Sequence, residues 1–173
     1  MPAVQSLPKR VLGFIQEQHL IAPGDRVLVA VSGGPDSVVL LHVLRALQPA
    51  LKVAQLTMLH LDHQLRGEES SQDARFIQDL ATQWGLPCHC RSVGVTEYRE
   101  THRVSLEMAA RECRHRFFME TLADLQANRL ALGHQADDQA EEMLLRLIRG
   151  TGPGGLAGMA PGTPEGLIRP LLF

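Results

Sequence analysis

A short apolar run that ends in a glycine-rich turn constrains the fold of this chain more than any other segment. Residues 27–31 are apolar and mostly β-branched, which is typical of a strand buried on both faces of a parallel sheet. The turn Ser32-Gly33-Gly34-Pro35-Asp36-Ser37 follows at once, and residues 38–47 then read as a helix. In such folds the loop after a strand lies at the sheet edge where ligands bind.

The rest of the chain alternates strands with helices. Strands are predicted over 26–31, 53–61, 89–93 and 129–133, and helices over 8–20, 38–47, 68–84, 105–128 and 137–150. In the last of these helices Ala140, Met143, Leu144, Leu147 and Ile148 form one apolar stripe. The order predicts an α/β fold, a Rossmann-like open parallel sheet of about five strands with helices on both faces.

Length, net charge and cysteine content limit the kind of protein that this chain can be. A length of 173 residues suits one domain, which we divide into an N-terminal helix (1–22), a core (23–150) and a Gly/Pro-rich linker (151–173) that leads to domains absent from the chain. Net charge is −2, so any contact with nucleic acid needs a local patch. Three cysteines are too few for a disulfide framework. We expect a cytoplasmic protein that does not contact a membrane.

The 32–37 loop has the chemistry of a phosphate cradle. Gly33 and Gly34 permit a sharp turn and close approach to a ligand, and Pro35 suits the first position of a helix. The free N–H groups beyond it favour an anion, and hydroxyl groups of Ser32 and Ser37 add donors. The carboxylate of Asp36 would repel phosphates, so we predict that it either holds Mg²⁺ or caps the helix.

Three other patterns are set aside. The chain has no Gly-x-x-x-x-Gly-Lys-Ser/Thr phosphate loop. Residues 150–155 match Gly-x-Gly-x-x-Gly, but they follow a helix rather than a strand. Cys88-His89-Cys90 has no further metal ligands at suitable spacing and is interpreted as the end of a surface strand.

Four further segments accompany VAVSGGPDS at 29–37: HLDHQLRGEES at 60–70, EMAAR at 107–111, GHQADDQAE at 133–141 and LLRLIRG at 144–150. The first segment resembles the PP-loop of the ATP pyrophosphatase superfamily. Together, over about residues 24–170, the segments resemble the tRNA(Ile)-lysidine synthase family.

The resemblance implies a reaction. ATP would adenylate the C2 oxygen of the wobble cytidine in tRNA(Ile) with a CAU anticodon, and the ε-amine of free L-lysine would then displace AMP. The cofactors implied are ATP and Mg²⁺, and a homodimer is a further expectation. Family members continue into further domains, so the chain resembles their N-terminal catalytic part.

Site residues follow from the same resemblance. The residues expected to bind ATP are Ser32, Gly33, Gly34, Pro35, Asp36, Ser37, Asp62 and His63. The catalytic residues expected are Asp36, which would also place Mg²⁺, and Asp137, which would share the metal or orient the lysine amine. The residues expected to contact lysine or tRNA are Arg66, Glu107, Arg111, Arg114, His134, Asp138, Arg146 and Arg149.

Structural roles compete with several of these assignments. Asp137 or Asp138 could cap the helix that follows. Glu107 with Arg111, and Glu142 with Arg146, have the spacing of simple ion pairs within one helix. His60 and His63 could be surface-loop residues. Two other functions also remain open: a tRNA thiolase, which the lack of paired Cys-x-x-Cys segments disfavours, and a module that binds ATP without turnover.

Overall fold

The computed structural model describes residues 5–64, 68–150 and 158–173, and for 68–71 it describes the backbone only. The helices are α1 Leu7–Glu17, α2 Pro35–Leu51, α3 Glu68–Trp84, α4 Val95–His102, α5 Leu106–Asp124 and α6 Ala136–Ile148. The strands are β1 Arg26–Ala30, β2 Gln55–Asp62, β3 Cys88–Ser92, β4 Arg129–Ala131 and β5 Leu167–Ile168. The predicted elements are confirmed, with bounds that shift by a few residues.

The five strands form one parallel sheet in the order β3-β2-β1-β4-β5. Leu28 of β1 lies opposite Thr57 of β2 on one side and Leu130 of β4 on the other. The chain therefore moves outward from β1 to β3 and then crosses back to β4. The strand order reverses between β1 and β4, and a crevice for ligands opens at such a point.

Strand β1 is buried on both faces, as its apolar run predicts. Val27 and Val29 pack with side chains of α1, α2 and α3 in the larger core cluster. Leu28 points the other way and packs with Phe117 and Leu122 of α5. This alternation follows from the two-residue period of a strand, and it confirms helices on both faces of the sheet.

One helix was missed by the sequence analysis, and another was predicted too long. Residues 95–102 form α4, whose Val95 is fully buried beside Ala109 and Cys113 of α5. The helix predicted over 105–128 begins at Leu106, after the Ser105 hydroxyl caps the backbone N–H of Met108, and it ends at Asp124. Helix α4 is short and mostly polar, so hydrophobic periodicity gives little signal there.

The prediction that 151–173 is a linker is wrong for its last part. Residues 158–173 pack against the domain: Leu167–Ile168 form edge strand β5, and Leu171 and Leu172 are buried. The ring centroids of Phe173 and Phe14 of α1 are 5.5 Å apart. Clustered apolar residues at the end of the segment outweigh its Gly/Pro composition, because burying them offsets the entropy of ordering the chain.

Helix α6 turns its polar side towards the protein. Asp138, Gln139 and Glu142 are partly buried, whereas Leu144, Leu147 and Ile148 are more than half exposed. The apolar stripe predicted for this helix exists, but it faces outward.

Within the described ranges, no helix has the length and apolarity needed to cross a bilayer.

Candidate active site

The 32–37 loop is held in shape by its own two serines. The Ser37 hydroxyl donates to the carbonyl of Gly34 at 2.8 Å and accepts from the backbone N–H of Ser32 at 3.2 Å. The Ser32 and Ser37 hydroxyl oxygens are 3.3 Å apart. Ser37 is buried and its hydroxyl closes the loop, so the expectation that it contacts ATP stays a prediction.

Gly33 has a backbone conformation that other residues rarely adopt. Its φ is +94°, and a Cβ at this position would lie 3.3 Å from Oδ1 of Asp73 on α3. The sequence analysis did not single out Asp73, because α3 has no motif that marks it as a neighbour of the loop. The contact brings a second carboxylate to the wall of the loop.

Helix α2 begins at this loop with an open N-terminus. Gly34 is the N-cap, Pro35 follows it, and no side chain caps the first backbone N–H groups. The Asp36 side chain is exposed and accepts a hydrogen bond from Nε2 of Gln135 at 3.3 Å rather than capping its own helix. Uncapped N–H groups and the positive end of the helix dipole form a site for an anion.

The end of β4 packs directly on the start of α2. A Cβ at Gly133 would lie 3.1 Å from the backbone nitrogen of Ser37 and 3.3 Å from the carbonyl carbon of Asp36. This close approach brings the first turn of α6 to the same sheet edge as the loop. The predicted neighbourhood of Asp36 and the 133–141 segment is therefore present.

The two adjacent carboxylates of α6 have different environments. An oxygen of Asp138 accepts a hydrogen bond from the backbone N–H of Gln135 at 2.7 Å, which makes it a capping residue. Asp137 is exposed and has no hydrogen-bond partner among the described residues. The geometry favours the structural role for Asp138 and leaves Asp137 free for a ligand.

Residues at the end of β2 lie at the same edge. Nδ1 of His60 is 2.8 Å from the carbonyl oxygen of Val31, and its buried Nε2 has no partner within the described part of the chain. The Asp62 carboxylate accepts from the backbone N–H of Gln64 at 2.8 Å and from the hydroxyl of Ser92 at 3.3 Å. Asp62 thus orders the turn that follows β2.

His63 follows β2 and His134 follows β4, and the charge of Arg114 affects both imidazole rings. Burial, followed by the charge of Arg114, lowers the pKa of His63. Burial, followed by the charge of Arg169, lowers the pKa of His134, and Arg114 adds to the effect. Arg114 of α5 is therefore close enough to influence both rings, and both histidines favour their neutral forms.

Glu107 and Arg111 do not form the ion pair that their spacing allows. Of the described residues, only Arg91 with Glu120, Arg129 with Asp25, and Arg146 with Glu142 form salt bridges. Burial and the neighbouring Arg111 charge lower the pKa of Arg114. The hydrogen bond from Arg146 lowers the pKa of Glu142, and the Arg111 charge adds a smaller effect. Arg111 therefore acts electrostatically on both α5 and α6.

Three predicted residues remain, namely Arg66, Arg146 and Arg149. Nε of Arg146 is 2.8 Å from Oε1 of Glu142, as the alternative structural interpretation anticipates. Arg149 is exposed at the C-cap of α6. Arg66 lies outside the described residues.

The sequence analysis missed Arg169, which follows β5. Nη1 of Arg169 donates to the carbonyl of Ala160 at 2.7 Å, and its buried Nε has no partner in the part of the chain that the structure describes. The segment 151–173 was interpreted as a linker, so nothing in the sequence analysis linked this residue to the site.

The comparisons with known proteins agree with this geometry. A family model described as a PP-loop domain matches residues 5–173. This chain belongs to the PP-loop family. A PP-loop domain is an ATP-binding domain, and the resemblance inferred from the five segments is confirmed. The name PP-loop is used below for the 32–37 loop.

Curated relatives match almost the whole PP-loop domain. A tRNA(Ile)-lysidine synthase of Clostridium perfringens is 40% identical over 167 residues, covering 96% of this chain and 35% of the relative. Those of Symbiobacterium thermophilum and Geobacter sulfurreducens are 47% and 44% identical, covering 94% and 98% of this chain and 34% and 36% of their own lengths. The chain therefore spans about a third of the length of these relatives.

A solved structure shows the same fold. The U34-tRNA thiolase NcsA from Methanococcus maripaludis superposes with a TM-score of 0.74 at 16% sequence identity, covering 94% of this chain and 58% of the thiolase. At this identity the likeness supports the PP-loop fold alone.

The donor set at the site suits a metal ion held together with phosphates. The described residues contain no group of three or more His, Cys, Asp or Glu side chains that could hold a metal ion. Mg²⁺ usually binds one or two carboxylates together with substrate phosphates. The exposed carboxylate of Asp36, beside the uncapped helix N-terminus, fits that mode.

Proposed function

We propose that this chain is the adenylating and lysine-transferring domain of a tRNA(Ile)-lysidine synthase. The observation that supports this most directly is the 40–47% identity to such enzymes over more than nine-tenths of the chain. In the first step the C2 oxygen of the wobble cytidine attacks the α-phosphorus of ATP and releases pyrophosphate. In the second step the ε-amine of lysine attacks C2, AMP leaves, and the amine loses its proton.

ATP supplies the phosphates for the PP-loop. We place them against the open N-terminus of α2, where the N–H groups stabilise negative charge as pyrophosphate leaves. Mg²⁺ would be held by Asp36 and would neutralise charge on the phosphates. The hydrogen bond from Gln135 restrains the Asp36 carboxylate beside the open N-terminus of α2.

Asp137 is the residue we assign to the lysine amine. It is exposed at the first turn of α6 and is not used as a cap. A carboxylate there attracts the ammonium group and can accept its proton before attack, which is a general-base role. Asp138 supports the same turn through its bond to Gln135.

We place the wobble nucleotide between α5 and α6. Arg111 and Arg114 line this side of the sheet edge, and exposed Glu107 lies one turn earlier on α5. Guanidinium groups pair well with phosphates, so these two arginines and Arg149 would neutralise the tRNA backbone. His63 and Asp62 flank the space left for the adenosine.

The test measures nucleotide products and lysine transfer in one reaction. This chain is incubated with Mg-ATP, labelled lysine and tRNA(Ile) that has a CAU anticodon. We expect AMP, pyrophosphate and labelled tRNA in equal amounts. Asp36→Ala should lower all three products by about 100-fold or more, because a removed metal ligand weakens charge stabilisation in the transition state.

A matched control is Asp79→Ala, on an exposed position of α3, which should leave the rate unchanged. Pyrophosphate release that survives Asp36→Ala would contradict the role of Asp36. AMP without labelled tRNA would support an adenylating enzyme that needs further domains for lysine transfer. ATP binding with no products would favour a module without turnover.

A thiolase is the second candidate, and the cysteine positions disfavour it. Cys88 and Cys90 lie on β3 with their sulfur atoms 3.6 Å apart, whereas Cys113 is buried between α4 and α5.

A tRNA substrate and free lysine imply a cytoplasmic enzyme. The homodimer stays a prediction that light scattering would test.

A further inference from the structure

Two arginines at the active-site edge have no acidic partner. Arg114 and Arg169 both lie within electrostatic range of His134, and neither forms a salt bridge with any described residue. Arg169 is half-buried, and desolvation lowers its pKa. A desolvated cation without a counter-ion costs free energy, so Arg169 is suited to an anion that arrives with the substrate.

The guanidinium of Arg169 has donors that no described residue satisfies. Its Nη1 donates to Ala160 at 2.7 Å, and this bond fixes the orientation of the side chain. Its Nε is buried, and no described group accepts from it. The edge formed by Nε and Nη2 can donate two parallel hydrogen bonds to the two oxygens of a carboxylate.

The folded end of the chain holds this arginine in place. Ile168 pairs with Ala131 of β4, and the backbone N–H of Arg169 donates to the carbonyl of Pro161 at 2.8 Å. The backbone N–H of Leu132 donates to Ile168 at 2.9 Å, which aligns the ends of β4 and β5. Arg169 is therefore delivered to the same sheet edge as His134.

Carboxylates nearby indicate which anion fits. Asp137 lies three positions after His134, and Asp36 lies across the same edge, so a nucleic-acid strand there would meet repulsion as well as attraction. A free amino acid carries both a carboxylate and ammonium groups. Cations on one side and a free carboxylate on the other are complementary to such a zwitterion.

We propose that Arg169, together with His134, binds the α-carboxylate of the amino-acid substrate. This assignment rests on the proposed function, because it needs a free amino acid as the nucleophile. Asp137 then receives the side-chain amine, and the two contacts fix which end of lysine faces the adenylated base. The segment 158–173 is thereby part of the substrate site.

The test compares two ligands that differ only at the carboxyl group. Calorimetric titrations measure L-lysine and L-lysinamide binding to the full chain saturated with a non-hydrolysable ATP analogue. We expect lysine to bind the unmodified chain about 10- to 100-fold more tightly, the range for a charged hydrogen-bonded contact. Arg169→Gln should weaken lysine binding by a similar factor and abolish the discrimination against lysinamide.

Two further variants serve as controls. Arg169→Lys keeps the charge but loses the two-pronged edge, so its lysine affinity should fall between those of the unmodified chain and Arg169→Gln. Arg45→Gln removes an arginine whose guanidinium carbon lies 5.3 Å from the Trp84 ring centroid, and it should preserve the discrimination. Binding of the ATP analogue by each variant shows that the PP-loop is folded.

The other outcomes each decide the matter. If Arg169→Gln still discriminates as the unmodified chain does, or if the unmodified chain binds both ligands equally, the carboxylate assignment is wrong while lysine transfer stands. If the unmodified chain binds neither ligand, the amino-acid substrate and this assignment fail together. If Arg169→Gln loses only affinity for a tRNA anticodon stem-loop, the arginine holds a nucleic-acid phosphate instead.

Discussion

At the scale of single residues, the site depends on two glycines that allow close packing. Gly33 lets the PP-loop turn beside the carboxylate of Asp73, and Gly133 lets β4 approach the first turn of α2. Neither position has room for a side chain without movement of a neighbour. The contact at Gly133 is with backbone atoms, which cannot rotate away.

The first prediction therefore concerns Gly133→Ala. The added Cβ at 3.1 Å from the nitrogen of Ser37 should push α2 away from β4 and distort the phosphate site. We expect the dissociation constant for ATP to rise about 10-fold or more, which calorimetry measures.

Gly13→Ala on α1 is the matched control, because no atom lies within 4 Å of the added Cβ. Replacing glycine within a helix stabilises it by about 0.5–1 kcal/mol, so this variant should unfold at a slightly higher temperature and bind ATP normally. Unchanged ATP binding by Gly133→Ala would show that the loop tolerates the displacement.

The second prediction concerns pH. The folded-state pKa values of His63 and His134 lie below 6.5, so between each lowered value and 6.5 the unfolded chain binds more protons than the folded chain. The free energy of unfolding should therefore fall as pH decreases below about 6.5. Urea unfolding at about pH 7.5 and about pH 5.5 measures the difference.

His134→Gln should reduce that pH dependence, and His115→Gln, at an exposed position of α5, provides a comparison for the substitution itself. Since both site histidines are only partly buried, solvent screening moderates the effect. An equal slope in His134→Gln and the unmodified chain would assign the dependence to other groups.

At the scale of elements, β5 and α6 differ from what their sequences suggest. The Gly/Pro-rich tail contributes a buried edge strand, whereas the strongly patterned α6 buries none of its residues fully. The sequence pattern shows which side chains are apolar, but tertiary packing determines whether another element buries them.

The third prediction compares two isoleucines in those elements. Ile168 is 2% exposed in β5, and Ile148 is 81% exposed in α6. Ile168→Ala should lower the free energy of unfolding by about 2–4 kcal/mol through lost burial and a cavity, while Ile148→Ala should change it by less than about 0.5 kcal/mol. Urea titration of both variants measures this, and equal losses would place Ile148 in a covered surface.

At the scale of the whole molecule, charge limits how this domain can hold tRNA. Net charge is −2, so the chain has no overall electrostatic attraction for a polyanion, and any binding of tRNA would depend on a local group of cations. In our proposal Arg111, Arg114 and Arg149 neutralise tRNA phosphates.

The fourth prediction is a steep loss of tRNA binding with salt. For about three phosphate contacts, affinity should fall roughly 20- to 40-fold between about 50 mM and about 200 mM salt, and Arg149→Gln should reduce the logarithmic slope by about 0.7–0.9. Filter binding at several salt concentrations measures both values. Salt-insensitive binding would contradict the assignment of these arginines.

The sequence determined the sheet, most helices and the PP-loop, because those depend on local signals: a buried β-branched run, helical periodicity and glycines at a sharp turn. Asp137 was expected from the family resemblance, whereas Asp36 also stood out from the local signals. They could not distinguish Asp137 from Asp138, since both suit a helix N-terminus, and only the bond from the backbone N–H of Gln135 to Asp138 separates them.

Tertiary structure decided the contacts between distant segments. Asp73 meets Gly33, and Arg169 reaches His134, only after α3 and β5 have packed on the sheet. Helical periodicity and turn signals do not predict these contacts, because the contacts depend on how buried surfaces that are distant in sequence pack together. The sequence by itself therefore specified the glycine-rich loop at 32–37, and folding alone brought Arg169 to the same edge of the sheet.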